Sequence, residues 1–85
     1  MDPQRNEEVR NEALAYLVQR AGIAQTSETV HRRLNTENNF TIAEIEAALK
    51  FLEGMDFLTK EHQSLGSTLY WKATSAGVLH YERSL

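Results

Sequence analysis

The chain has 85 residues, enough for one small domain that buries roughly 60–65% of the surface of its unfolded chain. Its 41% hydrophobic and 25% charged residues are typical of a folded soluble protein and exclude a disordered or low-complexity chain. There is no cysteine, so disulfide bonds and thiolate metal sites are excluded. The net charge of −3 argues against a protein that coats nucleic acid by neutralising phosphates.

The polar, acidic start of the chain does not resemble a signal peptide. No apolar run approaches the roughly 20 residues that a membrane-spanning helix needs. Together with the absence of cysteine, these features lead us to expect a cytoplasmic protein that does not contact a membrane. No repeat or linker interrupts the sequence, so residues 1–85 are expected to form a single domain.

The first predicted helix runs from about Pro3 to Ala21, with Asp2 as its cap. Gly22 is expected to end it in the left-handed conformation, with Ile23 folding back on Val18. The apolar residues at helical spacing that support this helix are Val9, Ala13, Leu14, Leu17, Val18 and Ala21.

A second, shorter helix is predicted from Thr26 or Ser27 to about Leu34, and it should be buried chiefly through Val30 and Leu34. Residues 35–39 are polar and include three asparagines, which tolerate unusual backbone angles. This segment is therefore predicted to form the turn to a third helix.

The start of the third helix is marked by several signals. Thr41 can cap the first free amides, Glu44 can reach back to the N–H of Thr41, and Phe40 can pack on Ile45. The apolar stripe that should face the other two helices is Ile42, Ile45, Ala48, Leu49 and Leu52.

The end of this helix has two candidate positions. Gly54 could take the left-handed conformation, or Asp56 could take it with Phe57 folding onto Leu52. The second arrangement is preferred.

Two strands are predicted at about residues 57–61 and 69–73, around a polar loop. Strand alternation places Trp71 with the apolar residues, where it should cover the helical core. Tyr70 points the other way and could stack on bases or border a partner-binding patch. A last helix is predicted from Ser75, with Val78, Tyr81 and Leu85 on its buried side.

Three segments carry a resemblance to a known group of proteins. The first is Thr41 to Leu52, and the second is Asp56-Phe57-Leu58, where the group often has a glycine followed by two apolar residues. The third is Trp71 to Gly77, where the sequence of the group is often aromatic, any, apolar, Thr, any, any, Gly. With the order of elements, they resemble the winged helix-turn-helix domains of bacterial transcription regulators, the group that includes the MarR-like and PadR-like families. The expected fold is α+β: a three-helix core, a two-stranded β-hairpin wing and a short C-terminal helix.

The resemblance implies that the third helix enters a DNA major groove by its N-terminal residues while the hairpin loop touches the backbone or the minor groove. The residues then expected to face DNA are Thr41, Ala43, Glu44, Ala47 and Lys50 on the helix, and Lys60, His62, Gln63, Ser64, Ser67 and Thr68 on the hairpin. The basic cluster His31-Arg32-Arg33 could add phosphate contacts through Arg32 and Arg33. The alternative, which the sequence favours, is a solvated helix end, where cations in the last turn interact well with the helix dipole.

The sequence has no pattern of catalytic or metal-binding residues. Its histidines, at positions 31, 62 and 80, lie in different predicted elements, and no metal-ligand motif, nucleophile elbow or phosphate-binding glycine loop is present. We therefore expect no enzymatic activity, no cofactor or metal, and no small-molecule ligand.

Two functions from different classes remain open. The first is a small DNA-binding protein, a transcription or phage-type regulator that works as a homodimer because one domain with few cations would hold DNA weakly. The second is a winged helix that binds another protein and no DNA, because the third helix carries Glu44, Glu46 and Glu53 against Lys50 alone.

Overall fold

The computed structural model describes residues 3–20, 23–35, 39–62 and 69–84. The elements in chain order are α1 (Pro3–Gln19), β1 (Gln25–Thr26), α2 (Ser27–Leu34), α3 (Ile42–Gly54), β2 (Leu58–His62), β3 (Leu69–Ala73) and α4 (Ser75–Arg83). The predicted α+β architecture is thus confirmed. Within the described ranges, no helix combines the length and the apolarity needed to cross a membrane.

The sheet has one more strand than the hairpin expected from the sequence. β3 lies in the middle, with β2 on one side and the short β1 on the other, and both pairs are antiparallel. β1 has only two residues, too few to show a period of two. Its Thr26 lies opposite Tyr70 and also caps α2 by accepting a hydrogen bond from the Thr29 N–H at 3.1 Å. The same extended backbone serves both roles, because an N-cap residue takes β-region angles.

The boundaries of α3 follow from local signals that the sequence contains. The capping box is formed, since Thr41 Oγ1 accepts from the Glu44 N–H at 3.1 Å and Glu44 Oε1 accepts from the Thr41 N–H at 3.0 Å. At the other end Asp56 has φ 65°, and the Phe57 N–H donates to the Leu52 carbonyl at 3.0 Å. This bond and the one from the Asp56 N–H to the Glu53 carbonyl form a Schellman motif. The preference for Asp56 is confirmed, with the helix itself ending at Gly54.

The core lies where α1, α2 and α3 meet the inner face of the sheet. Trp71 is 2% exposed, as predicted, and its indole N–H donates to Ser27 Oγ at 3.1 Å. Leu34, Phe57 and Tyr81 pack against this core while partly exposed. The buried hydrophobic residues are Val9, Ala13, Leu14, Tyr16, Leu17, Val30, Phe40, Ile45, Ala48, Leu49, Leu52, Leu58 and Trp71.

Several expectations from the sequence were wrong in detail. α1 ends at Gln19 rather than Ala21, because the Arg20 N–H already bonds three residues back to the Leu17 carbonyl. Ile23 is 60% exposed and does not pack on the core. Ile42, at the edge of the predicted stripe and in the first turn of α3, is 36% exposed.

Some of the expectations concern residues that the structure does not describe. These residues are Asp2, Ala21, Gly22 and Leu85, together with residues 36–38 of the predicted turn and 63–68 of the predicted hairpin loop.

Candidate nucleic-acid interface

The third helix presents most of its predicted DNA-facing residues to solvent. Thr41, Ala43, Ala47 and Lys50 are exposed, whereas Glu44 is half-buried. Positions 43, 47 and 50 are spaced by four and three residues, so they share one face of the helix. That face points away from the buried stripe and is open to solvent.

The basic cluster on α2 divides into two parts. His31 is half-buried, and its Nε2 lies 2.8 Å from the Phe40 carbonyl oxygen. A carbonyl only accepts, so Nε2 carries the hydrogen in this contact. His31 therefore ties α2 to the chain entering α3, while Arg32 and Arg33 are exposed in the last turn of α2.

Glu44 is held by a cation from the first helix. Arg5 Nη2 donates to Glu44 Oε1 at 3.0 Å, and Arg5 Nε donates to the other carboxylate oxygen. The guanidinium, followed by the Thr41 N–H, lowers the pKa of Glu44 from its usual 4.5 to about 2. With both oxygens engaged, Glu44 is bound within the protein rather than free to read a base edge.

Arg5 is the residue of this region that the sequence analysis missed. Besides Glu44, its guanidinium reaches the Asn39 carbonyl at 3.2 Å and lies 5.3 Å from the centre of the Phe40 ring. Arg5 and Glu44 are 39 residues apart in the chain. No local sequence signal links positions at that separation, because their contact depends on how α1 packs against α3.

The pH dependence of the stability to urea should reveal the role of the ionised Glu44. Because its folded-state pKa is lowered, the carboxylate stabilises the fold above about pH 4.5, and this contribution is lost as the pH falls through about 2. We expect the difference in urea midpoint between the wild type and Glu44→Gln to be largest above pH 4.5 and to shrink towards pH 2. Glutamine suits this test because it can still complete a capping box.

Glu46→Gln is the matched control, since Glu46 is an exposed glutamate of the same helix with no ion-pair partner among the described residues. A midpoint difference for Glu44→Gln that stays constant with pH, or that equals the difference for Glu46→Gln throughout, would contradict the role assigned to Arg5 and Glu44.

The hairpin carries two ion pairs. Lys60 Nζ lies 3.9 Å from Glu53 Oε1 on α3, and Lys72 Nζ lies 3.4 Å from Glu61 Oε1 on the neighbouring strand. Lys60 and Glu61 thus pair with different partners, because successive strand residues point to opposite faces. The predicted contacts that lie outside the described residues are the side chain of His62 and all of Gln63, Ser64, Ser67 and Thr68.

These contacts change the charge that α3 presents. Of its three glutamates, Glu44 is paired with Arg5 and Glu53 lies near Lys60. Glu46 and Lys50 are left exposed with no ion pair in the described part of the chain. The net negative charge read from the sequence of the helix is thus largely offset by cations from α1 and β2.

A groove of about 410 Å³ lies between α1 and α4, away from these residues. Its lining contains none of the residues predicted to face DNA. The lining residues are Glu7, Asn11, Leu14, His80, Tyr81 and Ser84.

The fold is similar to those of solved proteins. The crystal structure of SSV1 F-93 superposes with a TM-score of 0.71 at 23% identity, over 88% of this chain and 79% of that one. Two mutants of ZitR from Lactococcus lactis, one of them in apo form, give TM-scores of 0.66 and 0.67 at 16% and 18% identity, over 86% and 95% of this chain. This chain spans only 48% and 59% of those ZitR chains.

The sequence matches no family model and no curated protein. At these low identities the structural likeness shows the fold, which is a winged helix-turn-helix.

Proposed function

We propose that the protein is a small DNA-binding regulator of the winged-helix class. In this proposal α3 enters the major groove of duplex DNA, the β2–β3 hairpin approaches the backbone or minor groove, and Arg32 and Arg33 contact phosphates. The winged helix-turn-helix fold supports the proposal, as does the exposure of Ala43, Ala47 and Lys50 along one face of α3.

The observation that carries the proposal is the pairing of the α3 carboxylates. An acidic helix would be repelled by phosphates, which is the main argument for a function without DNA. Arg5 engages Glu44, and Lys60 lies near Glu53, so the repulsion is much weaker than the sequence of α3 alone indicates. The exposed arginines of α2 then lie beside a helix that is close to neutral.

We also infer that the protein is related to the MarR-like and PadR-like regulators. The segments around Thr41, Asp56 and Gly77, which resemble the corresponding segments of those regulators, support this inference. The regulator is proposed to bind DNA as a homodimer, because one domain with so few cations would hold DNA weakly. Light scattering of the free protein at micromolar concentration measures its oligomeric state directly.

Binding to DNA should depend on salt and on the two arginines of α2. We expect fluorescence anisotropy with a random-sequence duplex to give an affinity that falls steeply as salt rises, because bound cations release counterions from the phosphates. The double variant Arg32→Ala and Arg33→Ala should bind more weakly and lower the slope of log K against log salt by about 1 for each arginine.

Arg83→Ala is the control for this experiment, since it removes an exposed cation from α4 rather than α2. It should leave affinity and slope close to those of the wild type. Unchanged binding by the double variant would remove α2 from the interface, and no binding at low salt would overturn the proposed function.

A second function, binding to another protein, is favoured by one observation. Phe51 and Met55, near the C-terminal end of α3, are 46% and 51% exposed, which is high for large apolar side chains. The guanidinium of Arg10 covers part of this patch at 3.7 Å from the centre of the Phe51 ring. Absence of DNA binding would favour this alternative.

A further inference from the structure

The N-terminal half of α3 exposes an apolar surface where a groove-binding helix reaches base edges. Ala43 and Ala47 are exposed one turn apart, whereas Ile42, which is 36% exposed, lies towards the buried stripe of the helix. Lys50 continues the same face one turn further on. Two methyl groups, those of Ala43 and Ala47, therefore lie on the face of α3 that would enter a major groove.

The polar groups at this end of α3 are committed to contacts within the protein. Both carboxylate oxygens of Glu44 accept hydrogen bonds from Arg5, and Oε1 also accepts from the Thr41 N–H at 3.0 Å. Thr41 Oγ1 accepts from the Glu44 N–H. Glu44 could have read the amino group of cytosine, but in this arrangement three of its roughly four lone-pair sites already accept hydrogen bonds from within the protein.

The free carboxylate of α3 among the described residues, Glu46, borders this surface, because it is three positions after Ala43 and four before Lys50. It is rotated from Ala43 by roughly 60° about the helix axis. The line through Ala43, Ala47 and Lys50 has no acidic group along it. The exposed arginines of α2 lie on a helix that packs against α3, so cations that can contact phosphates are available on the neighbouring helix.

The major groove offers such a surface one apolar group, the C5-methyl of thymine. We propose that α3 recognises thymine methyl groups, with Ala43 and Ala47 as the contacts that determine specificity, so that the protein prefers A·T-containing sites. This inference rests on the proposed DNA-binding function and specifies what the recognition helix reads. Arg32, Arg33 and Lys50 supply binding that does not depend on the methyl groups.

Removing the methyl groups from the DNA tests the proposal. The probes are two 20-base-pair duplexes of alternating sequence, one of deoxyadenosine and thymidine and the other with deoxyuridine in place of thymidine. Burial of one methyl group changes an affinity by about fourfold, so we expect the duplex with thymidine to bind about 15-fold more tightly if two methyl groups are contacted. A second pair compares cytosine with 5-methylcytosine, which restores a methyl group at the same position, and here the methylated duplex should bind more tightly.

The variant Ala43→Ser with Ala47→Ser assigns the effect to α3. Both positions are exposed, and circular dichroism checks that the variant is folded. The ratio of affinities for the thymidine and deoxyuridine duplexes should fall towards one. In the matched control, Arg32→Ala with Arg33→Ala, binding should weaken for both duplexes while the ratio is kept.

The outcomes separate the two proposals. Equal affinity of the wild type for the thymidine and deoxyuridine duplexes would overturn methyl recognition and leave DNA binding intact. A ratio that persists in the serine variant would overturn the assignment to Ala43 and Ala47. Failure to bind any of the duplexes at low salt would instead overturn the proposed DNA-binding function.

Discussion

Gly77→Ala should destabilise the protein by about 3 kcal/mol or more, at the upper end of the cost of overpacking a core. A Cβ at position 77 would lie 2.2 Å from the Phe57 carbonyl oxygen and 3.0 Å from its carbon. The obstacle is backbone, so no side-chain rotation relieves it. Differential scanning calorimetry should show a melting temperature lower by roughly 10–20 °C.

Phe57 cannot easily move aside because its backbone is bonded on both sides. Its N–H donates to the Leu52 carbonyl in the cap that ends α3, and its carbonyl accepts from the Thr74 N–H before α4. Displacing it would therefore break a hydrogen bond and disturb the end of α3. The close approach of Gly77 to Phe57 joins α4 to the end of α3.

Gly54→Ala is the matched control, since it makes the same substitution where no atom lies within 4 Å of the new Cβ. Gly54 is the last residue of α3, and alanine there should leave the stability unchanged or raise it by up to about 1 kcal/mol, because alanine favours the helix. Equal effects of the two substitutions would show that the contact between Gly77 and Phe57 does not limit what position 77 can hold.

The features that could be predicted from the sequence are those determined by residues close together in the chain. The capping box of Thr41 and Glu44 spans four residues, and the left-handed Asp56 lies between a helix and an apolar residue that folds back. The pattern that ends in Gly77 was also visible, but its reason was not. That reason is a backbone contact with Phe57, which exists only in the folded protein.

The candidate interface was harder to predict because its charge depends on distant residues. Read alone, α3 is acidic, and this raised the expectation of protein binding. Arg5 comes from α1 to engage Glu44, and Lys60 comes from the hairpin to lie near Glu53. Neither contact has a local signal, so the electrostatics of a recognition surface follow from helix packing as much as from its own sequence.

Replacing Trp71 by alanine should cost about 3–5 kcal/mol of unfolding free energy, the usual range for a buried aromatic residue. Trp71 is among the largest fully buried side chains and lies in the central strand, opposite Gln25 on one side and Lys60 on the other. Tyr70→Ala is the control, since Tyr70 is the adjacent residue of the same strand and is only half-buried. Urea denaturation should be followed by far-ultraviolet circular dichroism, because Trp71 is the only tryptophan and its fluorescence is lost with it.

The hydrogen bond from Trp71 to Ser27 allows the polar part of this cost to be separated from the packing part. Ser27→Ala leaves the buried indole N–H without an acceptor and should lower the unfolding free energy by about 1–3 kcal/mol. This substitution removes only a hydroxyl group, so the loss does not come from packing. Trp71→Phe leaves the Ser27 hydroxyl without its donor while keeping much of the apolar volume. If the bond matters, the double variant should cost less than the sum of the two single changes, because no polar group is then left unpaired. Strict additivity would instead mean that Trp71 stabilises the domain by packing alone, and that the bond which ties the central strand to the start of α2 contributes nothing measurable.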